Sequence, residues 1–96
     1  MNIGQGIKKA RKSKKVKQYI LAKDSGITQS YLSTIEGGIK KPSLDVLENI
    51  SKALGTPLPF IVWFSMELND VPNEKLEAYN TISPIINNLI ESLIKD

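Results

Sequence analysis

The chain has 96 residues, with 13 Lys/Arg against 10 Asp/Glu, no His and no Cys. That length suits one domain with at most a small appendage, so no separate ligand-sensing domain of ordinary size is expected. Without His or Cys the usual proton shuttle, thiol nucleophile and common zinc ligands are missing, and no disulfide framework can form. No metal or other cofactor is expected, and a reducing, cytoplasmic setting is. The most apolar stretch, "PLPFIVWFSM", falls short of the roughly 20 residues a membrane span needs. A basic N-terminus with no apolar run behind it is not a signal peptide. The net charge of +3 conceals an asymmetry: residues 1–23 carry +8, residues 24–60 carry −1 and residues 61–96 carry −4. A basic first quarter with an acidic tail points to a polyanion at one end only.

The spacing predicts a first helix over about 3–13, with Ile3, Ile7 and Ala10 on one face. A second is expected from about Lys17 to Asp24, burying Ile20 and Leu21, with Gly26 placed to stop it. A third follows Thr28, a good N-cap type, and runs to Glu36 with Leu32 and Ile35 inward. Gly37-Gly38 stops it. Ser43 opens a fourth, Leu44 to Leu54, with Leu44, Leu47, Ile50 and Leu54 at helical spacing. Gly55 ends that helix, and Thr56-Pro57 suits the start of a fifth. After "NDVPN" the chain reads as one or two helices to Ile94, broken or restarted at Ser83-Pro84. No strand alternation or repeat is present, so the fold class is all-α. A boundary is expected between residues 1–66 and a tail of residues 67–96.

The residues around Gly26 have a particular spacing. With Gln18 as position one, Ala22 is fifth, Gly26 ninth, Leu32 fifteenth and Ile35 eighteenth. A small residue permits close helix crossing, a glycine permits positive φ, and two aliphatics anchor the second helix. Such a pair sets two helices near a right angle, the second held out as a probe. A helix fits the width of the major groove of B-DNA.

The segments "IKKAR", "VKQYILAKDSGITQSYLSTIEGG" and "KKPSLDVLENISKALG" occur in order from Ile7 to Gly55. In these, and over Ile3 to about Leu58, the chain resembles the repressor-like helix-turn-helix family of phage repressors and small bacterial regulators. The resemblance covers a little over half the chain. Ala10 stands where the family usually has a larger aliphatic residue, and Ile39 lies in a loop that is often more basic. The resemblance implies a five-helix, lambda-repressor-like DNA-binding domain with a C-terminal helical extension. It implies that Gln18 meets a phosphate and braces Gln29, eleven residues on. Gln29 is the leading candidate for bidentate reading of adenine N6 and N7. Ser30, Ser33 and Thr34 are expected at base edges, with Tyr31 beside them as a phosphate contact. Lys14, Lys15, Lys17, Lys40, Lys41 and the helix start at Thr28 are assigned to phosphates. Arg11 and Glu36 match a family pair that ties the first helix to the end of the recognition helix.

From Ile82 to Ile94, seven of thirteen residues are Ile or Leu. On a helix they cover about half the circumference, more than one small core needs. Ile82, Ile86, Leu89 and Leu93 follow 4-3-4 spacing, and with Phe60, Trp63 and Phe64 they are the expected homodimer surface. The competing expectation is a tail that folds back on its own subunit. The leading function is a sequence-specific DNA-binding transcriptional regulator, a repressor that binds a near-palindromic operator as a homodimer. The alternative is an antitoxin-type interaction module that autoregulates its operon while its acidic tail holds a protein partner. A third reading is an RNA-binding or coactivator bridge. An enzyme comes last: Glu67, Asp70, Glu74 and Glu77 have no basic or glycine-rich partner motif.

Overall fold

The computed structural model describes residues 1–95. Six α-helices follow in order: α1 Ile3–Ser13, α2 Gln18–Ser25, α3 Gln29–Glu36, α4 Leu44–Leu54, α5 Leu58–Phe64 and α6 Leu76–Ile94. Single 3-10 turns at Leu68–Asp70 and Asn73–Lys75 connect α5 to α6. Among the described residues there is no strand. Side-chain caps set three of the six helix starts. The side chains of Asn2, Thr28 and Ser43 accept from the backbone amides of Gln5, Tyr31 and Val46. Each satisfies a donor that a helix start leaves unpaired.

One core joins the helices. Ile7, Ala10, Leu21, Ala22, Leu32, Ile35, Ile50, Leu54 and Ile61 are buried together, and Ile90 and Ile94 of α6 complete the same cluster. Two glycines of α1 allow unusually close crossings. A Cβ on Gly4 would land on the Ile35 carbonyl oxygen, and one on Gly6 would land on Ser65 Oγ and crowd the Ile61 carbonyl. Here α1 meets α3 and α5 backbone to backbone.

Three expectations about the helices are corrected. Ile20 is 39% exposed. The inward stripe of α2 is Leu21, Ala22 and Ser25, and Ile20 lies a further 100° round the helix. Leu44 is also exposed, because it sits at the first position of α4, off the end of the body; Ile50 and Leu54 carry that helix's burial. Finally, α6 runs unbroken through Pro84. The proline cannot donate to the Asn80 carbonyl, but Asn80 is solvent-exposed. Docking of Ile86, Ile90 and Ile94 on the far side of the proline holds the helix on course.

The apolar half of α6 divides into two bands. Ile86, Ile90 and Ile94 face the body. Ile82, Ile85, Leu89 and Leu93 are all exposed, Leu93 to 72%, and span about 80° of the helix circumference. Trp63 lies under α6: its indole N–H donates to Asn87 Oδ1 at 2.7 Å and its ring sits 5.8 Å from that of Tyr79. Phe64 is only 9% exposed and belongs to the core, while Phe60 and Ile86 pack partly buried against it. Phe64 is therefore withdrawn from the expected intersubunit surface. Ile85 is exposed as well, and helical geometry sets it beside Ile82 and Leu89, where the 4-3-4 seam passed over it.

Candidate nucleic-acid interface

Gly26 closes α2 at φ 73°, a left-handed conformation that costs glycine nothing. The Ile27 amide then donates back to the Ala22 carbonyl at 3.0 Å, and Thr28 caps α3. The turn leaves Thr28, Gln29, Ser30 and Ser33 exposed. The same helix buries Leu32, Ile35 and Glu36. Its outer face is polar and open, and its inner face is fixed.

A connected set of side chains lies beneath that face. Arg11 Nε and Nη2 donate to Glu36 Oε2 and Oε1 at 2.8 and 2.9 Å, a two-pronged pair. The side chains are 11% and 4% exposed, so solvent screens them little. The third prong, Arg11 Nη1, donates to the Val16 carbonyl at 3.0 Å. Gln18 Nε2 donates to Glu36 Oε1 at 3.2 Å, and Gln18 Oε1 accepts from Gln29 Nε2 at 3.4 Å. Arg11 and Glu36 thus anchor Gln18, and Gln18 reaches the first residue of α3.

The other expected residues divide. Lys15, Lys17 and Lys41 are exposed. Lys17 begins α2 with no side chain capping the amides there. Lys40 places Nζ 6.0 Å from the centre of the Tyr31 ring, while that half-buried ring packs on the core. The Thr34 hydroxyl donates to the Tyr31 carbonyl at 2.6 Å, so its hydrogen is committed within the helix. Lys14 reaches away from α3, and its Nζ donates to the Ile94 carbonyl at 2.5 Å. Lys8 and Lys12, which were not among the expected contacts, line one depression with Arg11, Gln18, Ser33 and Glu36. The +8 imbalance contained the signal for both, but adjacency in sequence favoured the lysines nearer Gln18. No group of three or more His, Cys, Asp or Glu positioned to hold a metal occurs among the described residues.

A Helix-turn-helix family model matches residues 7–61. The chain belongs to the helix-turn-helix family. The family match takes in α1 from Ile7 onward, all of α2 to α4 and the first half of α5. An immunity repressor protein of Bacillus phage phi105 is 42% identical over 62 residues, 65% of this chain and 43% of that protein. An HTH-type transcriptional regulator of Mycobacterium tuberculosis is 45% identical over 51 residues, 53% of this chain and 36% of that protein. One from Sinorhizobium fredii is 40% identical over 53 residues, 55% of this chain and 27% of that protein. The chain spans less than half the length of these relatives. No solved structure matches it. No described helix is long and apolar enough to cross a membrane.

Proposed function

We propose that this helix-turn-helix protein binds double-stranded DNA through α3, reads a near-palindromic operator as a homodimer, and represses transcription by covering promoter DNA. The observation that carries the reading is the placement of Gln29. It stands exposed at the start of a helix whose inner face is buried and gives one amide hydrogen to Gln18. Its Oε1 and second N–H then remain for adenine, which asks for one acceptor and one donor. Ser30 and Ser33 share the open face and take flanking base edges, and the Thr34 methyl takes a thymine methyl. Gln18, Thr28 and Tyr31 meet phosphates, with Lys15, Lys17, Lys40 and Lys41 supplying most of the salt-sensitive affinity.

The exposed band Ile82, Ile85, Leu89 and Leu93 is the dimer surface. A two-fold axis brings the same band to itself, and two probes about 34 Å apart meet successive major grooves on one face of the duplex. Repression draws further support from the immunity repressor among the relatives. Selection of bound sequences from random duplex DNA, run beside sedimentation equilibrium, tests the whole reading. The expected result is a dimer and an enriched site with two inverted halves. A monomer that enriches no symmetric site would turn the reading toward the antitoxin-type module, in which an unlike protein covers the same band.

A further inference from the structure

Polar contacts at either end of the 14–16 loop, joined through the loop's own backbone, connect the tail to the recognition helix. The last carbonyls of a helix have no partner within it and carry its negative end. Lys14 Nζ takes the Ile94 carbonyl at 2.5 Å, and the burial of Ile90 and Ile94 fixes that end of α6 on the body. Lys14 also opens the short loop into α2. Its next residue, Lys15, holds φ at 57° without being glycine, a strained choice for a side chain with a Cβ. The loop's far end, the Val16 carbonyl, accepts from Arg11 Nη1. From there the contacts run through Glu36 and Gln18 to Gln29.

We propose that the docked end of α6 positions the DNA-reading side chains, with Lys14 as the positioning residue. The tether to Ile94 holds the strained loop in place, and the loop with Arg11 and Glu36 fixes Gln18 and hence the Gln29 carboxamide. Lys14 therefore serves the reading of DNA without touching a phosphate. Because coupling between two sites is reciprocal, DNA engagement in turn favours the docked tail. The inference rests on the DNA-reading function above, and its test separates the two.

The comparison is wild type, Lys14→Met and Lys14→Arg. Binding is measured to a duplex enriched from the random pool, by fluorescence anisotropy over a range of salt. Lys14→Met should weaken binding by about two- to thirtyfold, with the slope of log affinity against log salt unchanged. Lys14→Arg, which restores a donor, should bind like wild type. Loss of about one unit of slope in Lys14→Met would make Lys14 a phosphate ligand and overturn the proposal. Unchanged affinity would overturn it equally. Amide hydrogen exchange at residues 18–21 gives a second readout without DNA: it should quicken in Lys14→Met and recover in Lys14→Arg. If the wild-type protein enriches no duplex, DNA reading fails, and the exchange result alone decides the coupling: faster exchange upholds it and unchanged exchange overturns it.

Discussion

Removing the Arg11 guanidinium is the sharpest test of how the domain is braced. Arg11→Met keeps an aliphatic stem along α1 but deletes three hydrogen bonds, two to Glu36 and one to the Val16 carbonyl. Glu36 would keep only Gln18 Nε2 as a partner at 3.2 Å. A solvent-exposed pair contributes about 0–1 kcal/mol. This pair is almost fully covered, with side chains 11% and 4% exposed, so the larger magnitude for stranding a buried charge applies, about 3–5 kcal/mol. A domain of this size has about 5–14 kcal/mol in total. The melting temperature should therefore fall by at least about 12 °C. Chemical denaturation followed by circular dichroism measures the loss directly. The double variant Arg11→Met/Glu36→Met removes both charges and should return to within about 1 kcal/mol of wild type, since apolar replacement of a buried pair is often neutral. A single-variant loss below about 1 kcal/mol would refute the claim that the pair is energetically buried. A double variant as unstable as the single would show that the loss came from packing.

Other outcomes follow from particular contacts. Gly6→Ala drives a methyl into Ser65 Oγ and toward the Ile61 carbonyl, and should cost about 1–3 kcal/mol in a melting experiment. Leu89→Lys changes an exposed residue, so subunit stability should move by less than about 0.5 kcal/mol while sedimentation shows the dimer lost. Pro84→Ala restores a donor to the Asn80 carbonyl and should raise stability by about 1–3 kcal/mol; a decrease would mean that the proline shapes the docked helix. Lys17→Ala should flatten the salt dependence of DNA binding by about one unit per subunit, and an unchanged slope removes Lys17 from the phosphate contacts.

What the sequence made legible was mostly local. Thr28, Ser43, Gly26 and Gly55 mark helix ends by their own chemistry: α2 ends, α3 begins, and α4 begins and ends where those residues say. The Gln18–Gln29 contact and the Arg11–Glu36 pair were legible because family resemblance supplied the long-range pairing. Periodicity alone misjudged Ile20 and Leu44, since a two-turn helix and a helix terminus give too few neighbours to fix a face. Pro84 reads as a break because the sequence cannot show that docking outweighs one missing hydrogen bond. Lys14 was the hardest to read. Its partner lies 80 residues away, and a lysine in a basic run carries no mark of which anion or carbonyl it meets.

The contact at Gly4 has a consequence for how such a molecule changes. There the peptide units of α1 and α3 touch with no side chain between them. The height at which α3 stands off the rest of the chain is fixed by bare backbone, a dimension that no repacking of aliphatic residues can adjust. New tips can replace Gln29, Ser30 and Ser33 while the platform beneath them keeps its place.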